Sequence, residues 1–193
     1  MPQRRKPVCT PADVFWAEVS PCDHVLQLYA DDAALLDTLE GFVSAGLSAG
    51  EAVIVVATEA HRAGLAARLG AKGIDVEGAI AAKRYFPRDA EETLDLFMRN
   101  GWPEDALFAS AVYPLLQEVR SQGCKVRAFG EMVALLWSRG LAGATLRLEQ
   151  LWDEVIQQER IPVLCAYPRA GFHHDAIDSF RRICAAHSRR VPA

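Results

Sequence analysis

The chain has 193 residues, of which 51% are hydrophobic, and a formal net charge of −4. That length suits one domain with a sizeable core, and the composition excludes a disordered chain. The acidic balance leaves no footprint for nucleic acid, and no apolar run reaches the ~18 residues needed to span a bilayer.

The charges at Arg4-Arg5-Lys6 precede no apolar stretch, so no secretory signal is read and a cytoplasmic location is expected. Arg189-Arg190 reads as a solvated tail. The five cysteines, Cys9, Cys22, Cys124, Cys165 and Cys184, are scattered and contain no CxxC pair. Neither a zinc ribbon nor a redox dithiol is indicated. Cys22 and His24 form a Cys-x-His pair, but two ligands without a second pair close no tetrahedral site, so no metal is expected.

Residues 1–21 carry Pro2, Pro7, Pro11 and Pro21 and read as a flexible leader in which Phe15 and Trp16 could form a short docked turn. A single domain is expected over 22–193. It opens with a strand, His24 to Tyr29, and Asp31 and Asp32 offer carboxylates to cap the next helix. That helix carries Leu35, Leu36, Leu39, Phe42, Val43 and Leu47 at the spacing of a buried face and is expected to end at Gly46 and Gly50. Ala52 to Ala57 is a continuous run that suits a strand covered on both faces. Thr58 is expected to cap a helix carrying His61, Leu65 and Leu69, and a short helix follows over 75–82. Arg84 to Pro87 reads as a strand, and Asp89 caps a helix with Leu94, Phe97 and Met98.

Residues 104–121 read as a long helix that Pro114 should kink or split. Lys125 to Phe129 is the fourth strand, Glu131 to Trp137 begins a helix, and a second helix runs from about Ala142 to Gln158. Ile161 to Tyr167 is the fifth strand, and the last helix runs from about His174 to His187. The alternation predicts a three-layer α/β fold with a mainly parallel open sheet of about five strands.

Catalytic motifs are missing. The first strand-to-helix junction, Tyr29-Ala30-Asp31-Asp32-Ala33-Ala34, has neither the glycines nor the lysine of a phosphate-binding loop, and its two carboxylates would repel a triphosphate. No GxGxxG follows a strand and no GxSxG elbow occurs. The chain is therefore not expected to be an enzyme, and no cofactor is assigned.

Strand ends of a parallel sheet converge on one edge, where ligands bind. His24 and Tyr29 bound the first strand, Glu131 follows the fourth, and Cys165 and Tyr167 end the fifth. If these strands are neighbours, Tyr29, Glu131 and Tyr167 come together as two hydroxyls beside a carboxylate. Each residue also has a plain structural role: a capped histidine, a carboxylate at a helix start, a core cysteine, two packed rings. Arg147, Glu149, Glu154 and Arg160 read as a solvated face with ion pairs, and Trp137 and Trp152 as core.

The segments HVLQLY, LLDTLEGFVSAGLSAGEAVIVVAT, ETLDLFMRNGWP, VRAFGEMVALLW, RLEQLWDEV, VLCAYP and ICAAHSRRVP resemble the MEDS domain, the sensory domain named for methanogens, methylotrophs and the DcmR regulator. The resemblance runs from His24 to about Pro192. It implies a fold derived from RecA/KaiC-type ATPases that has lost the phosphate loop, and a role in sensing small molecules, including hydrocarbon derivatives. Relatives of this kind are joined to histidine kinase, PAS or DNA-binding modules. By resemblance, His24, Tyr29, Glu131, Cys165 and Tyr167 fall on motif positions and are the candidate ligand-binding residues. The sequence ends at Ala193 with no such module, so output is expected to pass through a partner protein such as a histidine kinase or a transcriptional regulator. A ligand-free protein-interaction module is the alternative, and a homodimer is compatible with either.

Overall fold

The computed structural model describes residues 15–121, 123–171 and 177–191. In chain order the main elements are β1 (His24–Tyr29), α1 (Asp32–Ser48), β2 (Ala52–Ala57), α2 (Glu59–Ala71), α3 (Val76–Ala81), β3 (Tyr85–Asp89) and α4 (Ala90–Phe97). There follow β4 (Met98–Arg99), β5 (Trp102–Pro103), α5 (Asp105–Arg120), β6 (Val126–Gly130), α6 (Met132–Ser138), α7 (Ala142–Glu159), β7 (Val163–Pro168), α8 (Ile177–Ala186) and β8 (Arg189–Arg190). Six strands form one sheet in the order β3-β2-β6-β7-β1-β8, and all their pairings are parallel. The expectation of about five strands misses β8, and β4 and β5 form a separate antiparallel ribbon. Residues 174–176 of the expected last helix lie outside the described residues.

The strand sequences divide the core in two, because successive side chains point to opposite faces. Val53, Val55 and Ala57 of β2 join Val25, Tyr29, Phe129, Leu164 and Ala166 against Leu35, Leu39 and Phe42 of α1 and Leu65 and Leu69 of α2. Ala52, Ile54 and Val56 join Leu26, Ala128, Cys165 and Tyr167 against α4 to α8. Helices thus cover both faces of a parallel sheet, the three-layer α/β arrangement. Trp137 and Trp152 are core residues.

Local chemistry sets the helix ends. The Asp31 carboxylate accepts from the Ala34 amide at 2.9 Å, and Asp89 accepts from the Glu91 and Glu92 amides. Thr58 stands at the start of α2 but makes no side-chain cap bond there. Its hydroxyl instead points to the Glu131 carboxylate, 3.3 Å away. Gly46 does not end α1, which runs on to Ser48. A Cβ at Gly46 would lie 2.8 Å from Arg127 Cδ, so the glycine makes room for that buried arginine. Gly50, at φ +82°, turns the chain after the helix. α5 continues through Pro114 as one element rather than two.

Arg127 is charged and buried, and its guanidinium is held by several partners. It donates to Glu51 Oε2 at 2.5 Å and to the Phe42 carbonyl at 3.1 Å, and stacks over the Phe42 ring. Trp16 is buried against Phe42, so the segment before β1 docks on α1. Arg189 is not a free tail residue: it lies over the Phe15 ring and donates to Asp23. Among the described residues no helix is long and apolar enough to cross a membrane.

Candidate functional site

The five motif residues fall into separate places. Tyr29 and Tyr167 lie on opposite faces of the sheet, so the expected trio of Tyr29, Glu131 and Tyr167 does not assemble around one carboxylate. The Tyr167 hydroxyl donates to Glu149, not to Glu131.

At the carboxyl edge of the sheet, β2 and β6 are neighbours whose following helices pack on opposite faces. Such a reversal opens a crevice where parallel sheets bind ligands. Here Glu131 occupies it. One carboxylate oxygen accepts from the Thr58 amide at 2.8 Å, and the other faces His61 Nδ1 at 2.7 Å. His61 Nε2 lies 3.4 Å from Asp32. The hydrogen bond to Glu131 raises the His61 pKa above 6.5; partial burial opposes it, and the Glu131 and Asp32 charges reinforce it. Tyr29 feels the same charges: burial, then Glu131 and Asp32, push its hydroxyl up to about 12.

The second reversal lies between β1 and β7, which are also neighbours with α1 on one face and α8 on the other. Beside the end of β1 is a cavity of about 470 Å3. Leu26, Leu28, Ala34 and Val191 give it apolar walls. Gln27, Tyr29, Thr38, Arg169 and Arg190 give it polar ones, and the one carboxylate on the wall, Asp37, is paired with Arg68. Gln27 donates from its amide nitrogen to Thr38 and to the Ala34 carbonyl, while its buried Oε1 has no donor. Among the described residues neither Arg169 nor Arg190 has an acidic partner.

His24, Cys165 and Tyr167 meet in a third place, beneath α7 and α8. Parallel pairing puts His24 opposite Val163 and Leu26 opposite Cys165, so His24, Cys165 and Tyr167 all face α7. Two further residues complete the group. Glu149 of α7 is fully buried, which corrects its reading as part of a solvated face. His187, just after α8, stacks on His24 with ring centroids 4.0 Å apart. His24 Nε2 is 3.2 Å from Glu149 Oε2 and 3.5 Å from Cys165 Sγ, and His187 Nε2 is 3.6 Å from Glu149 Oε1.

Electrostatics here differ from the crevice. Burial lowers the His187 pKa, and Glu149 only partly offsets it. Burial, then Glu149, pushes both the Cys165 thiol and the Tyr167 hydroxyl well above their ordinary values. Burial would also raise the Glu149 carboxyl, but His187, His24 and the Tyr167 hydroxyl outweigh it, so the group is held below its ordinary value. The donor atoms of His24, Glu149, Cys165 and His187 all lie within 4.8 Å of one another, and these four residues could hold a metal ion. The sequence reading missed His61, Gln27, Glu149 and His187. Gln27, Glu149 and His187 lie within the family-like segments, and Glu149 also carried a periodic signal: it stands three and seven residues before Trp152 and Ile156, on the buried stripe of α7.

The family model of the MEDS domain, MEthanogen/methylotroph, DcmR Sensory domain, matches residues 23–183. It spans every strand of the main sheet except β8 and stops four residues before His187. No curated protein matches the chain.

Proposed function

Because the chain belongs to the MEDS family of sensory domains, we propose that it senses a small organic molecule at the carboxyl edge of its sheet and passes the signal to a partner protein, such as a histidine kinase or a transcriptional regulator. The observation that carries this reading is the cavity beside β1. Its volume, about 470 Å3, is that of a small-molecule site, and Gln27 leaves a buried acceptor beside two arginines that have no acidic partner among the described residues. Apolar walls with a guanidinium rim suit a ligand with a short hydrocarbon body and an oxygen-bearing, anionic head.

The domain works by binding rather than catalysis. At the first junction the Asp31 carboxylate takes the Ala34 amide, one of the donors that a phosphate would use at a helix start. The other crevice is filled by Glu131. A ligand in the cavity touches Arg190 and Val191 of the β8 segment, an edge strand of two residues held by Ser188 and Val191 amides on the β1 carbonyls. Ordering or displacing that edge offers a partner a ligand-dependent surface. The free thiols of Cys22, Cys124, Cys165 and Cys184 suit the reducing cytoplasm.

Native mass spectrometry of freshly purified protein, followed by thermal shifts with short-chain carboxylates and the matching alcohols, tests this reading. A carboxylate at about a hundredfold excess over its Kd should stabilise the fold by roughly 2.7 kcal/mol. Arg169→Ala and Arg190→Ala should each weaken the response while leaving the free protein's Tm nearly unchanged. No retained molecule and no shift with either series would count against the cavity.

A further inference from the structure

The geometry points to a divalent transition-metal site, best suited to Zn2+, formed by His24, Glu149, Cys165 and His187. It is independent of the cavity beside β1.

His24 Nδ1 lies 3.1 Å from the Ala186 carbonyl, and His187 Nδ1 lies 2.6 Å from the Ile183 carbonyl. A carbonyl only accepts, so each Nδ1 carries the proton and donates it. In the neutral rings both Nε2 atoms therefore present lone pairs, and both face the Glu149 carboxylate. The Cys165 thiol supplies a proton to His24 Nε2. The Tyr167 hydroxyl supplies one to Glu149 Oε1. Among the described residues no donor reaches His187 Nε2, and Glu149 Oε2 has no hydrogen bond while His24 Nε2, 3.2 Å away, keeps its lone pair. Buried polar atoms are almost always satisfied, and each orphan costs about 1–3 kcal/mol. A proton on His24 Nε2 alone would serve Glu149 Oε2 but would take the acceptor from the Cys165 thiol and leave His187 Nε2 unserved, and protonating both rings would place two cations 4.0 Å apart in the core. One divalent cation among the four donors satisfies both orphans at once.

The outer contacts have the form that metal sites use. Ligating histidines donate their second N–H to a carbonyl, and ligating carboxylates are held by a further donor. Ala186, Ile183 and Tyr167 fill those roles. Two imidazoles, a thiolate and a carboxylate form the mixed set that tetrahedral zinc accepts, whereas Mg2+ and Ca2+ require oxygen. Closing the group from its 4.8 Å span to a tetrahedral edge of roughly 3.4 Å needs side-chain shifts of about an ångström. Binding releases the Cys165 proton to solvent, so thiolate, carboxylate and a dication leave the buried centre neutral. An entry route adjoins it: a cavity of about 390 Å3 lined by Trp102, Leu146, Glu149, Arg182 and Ala186. The ion would tie β1, β7 and α7 to the segment after α8, fastening the chain just before β8.

Metal content and Co2+ spectroscopy of the full chain test the site. Protein expressed with zinc should retain about one equivalent. Protein stripped by chelator should gain Tm on adding Zn2+, and Co2+ should produce a thiolate charge-transfer band. Cys165→Ser should abolish that band, and Cys124→Ser should leave it intact. Tyr167→Phe should keep the band but weaken zinc binding by about 10- to 100-fold. X-ray absorption of the zinc-loaded wild type should show one sulfur and three nitrogen or oxygen ligands, which holds even if Cys165→Ser fails to fold. Protein that neither retains metal, nor develops the band, nor gains Tm overturns the proposal. So does a band that survives Cys165→Ser, or a zinc shell without sulfur.

Discussion

Glu131 and Glu149 are two buried carboxylates beside histidines, and they are opposites. Glu131 plugs the β2–β6 crevice with every need met: a backbone amide, the Thr58 hydroxyl and the His61 ring. Glu149 lies deeper, accepting from Tyr167 through one oxygen, while the other faces the His24 ring at 3.2 Å without a hydrogen bond. The histidines differ accordingly. His61 is drawn toward its charged form, whereas burial holds His187 toward neutrality. A carboxylate with filled coordination acts as a structural tie, while one with an orphan oxygen marks a place for something else.

The largest effect should come from Glu149→Leu. It leaves the buried Tyr167 hydroxyl without its acceptor, so a loss of about 1–3 kcal/mol is expected in urea denaturation. A loss under about 1 kcal/mol would make Glu149 the more dispensable acid and reverse the contrast. Glu131→Gln keeps an acceptor for the Thr58 amide but loses the charge facing His61, so a smaller loss of about 1–2 kcal/mol is expected at low pH.

That second loss should depend on pH. The folded-state pKa of His61 is raised above its ordinary 6.5. Its contribution is therefore fully present below about 6.5 and disappears as the pH rises through the folded value. The gap between wild type and Glu131→Gln should narrow over that interval, and an NMR titration should show the His61 pKa falling in the variant. A gap independent of pH would mean that Glu131 acts through Thr58 alone. The smallest effect belongs to Asp32→Asn. The Asp32 side chain is 78% exposed, so its pairing with His61 should contribute within about 0.5 kcal/mol.

Much of the scaffold was legible from local chemistry. Ala52–Ala57 reads as a doubly covered strand and proves to be buried at all six positions. Asp31 and Asp89 cap the helices they precede. β8 was not legible, because two arginines carry no strand pattern and pair only where β1 offers an open edge. The candidate residues were legible singly but not in their grouping. His24 and Cys165 are 141 residues apart, and the β1–β7 register with the cover of α7 and α8 brings them together.

Local sequence therefore specifies the alternation of strands and helices, the membership of the family and most of the residue types that carry chemistry. These depend on periodicity, caps and motifs within a few residues of one another. Packing between distant segments is what leaves Glu131 satisfied at an edge and one Glu149 oxygen without a hydrogen bond in the core. Burial and the direction of a lone pair are properties of the packed neighbourhood, and residues far apart in the chain supply that neighbourhood.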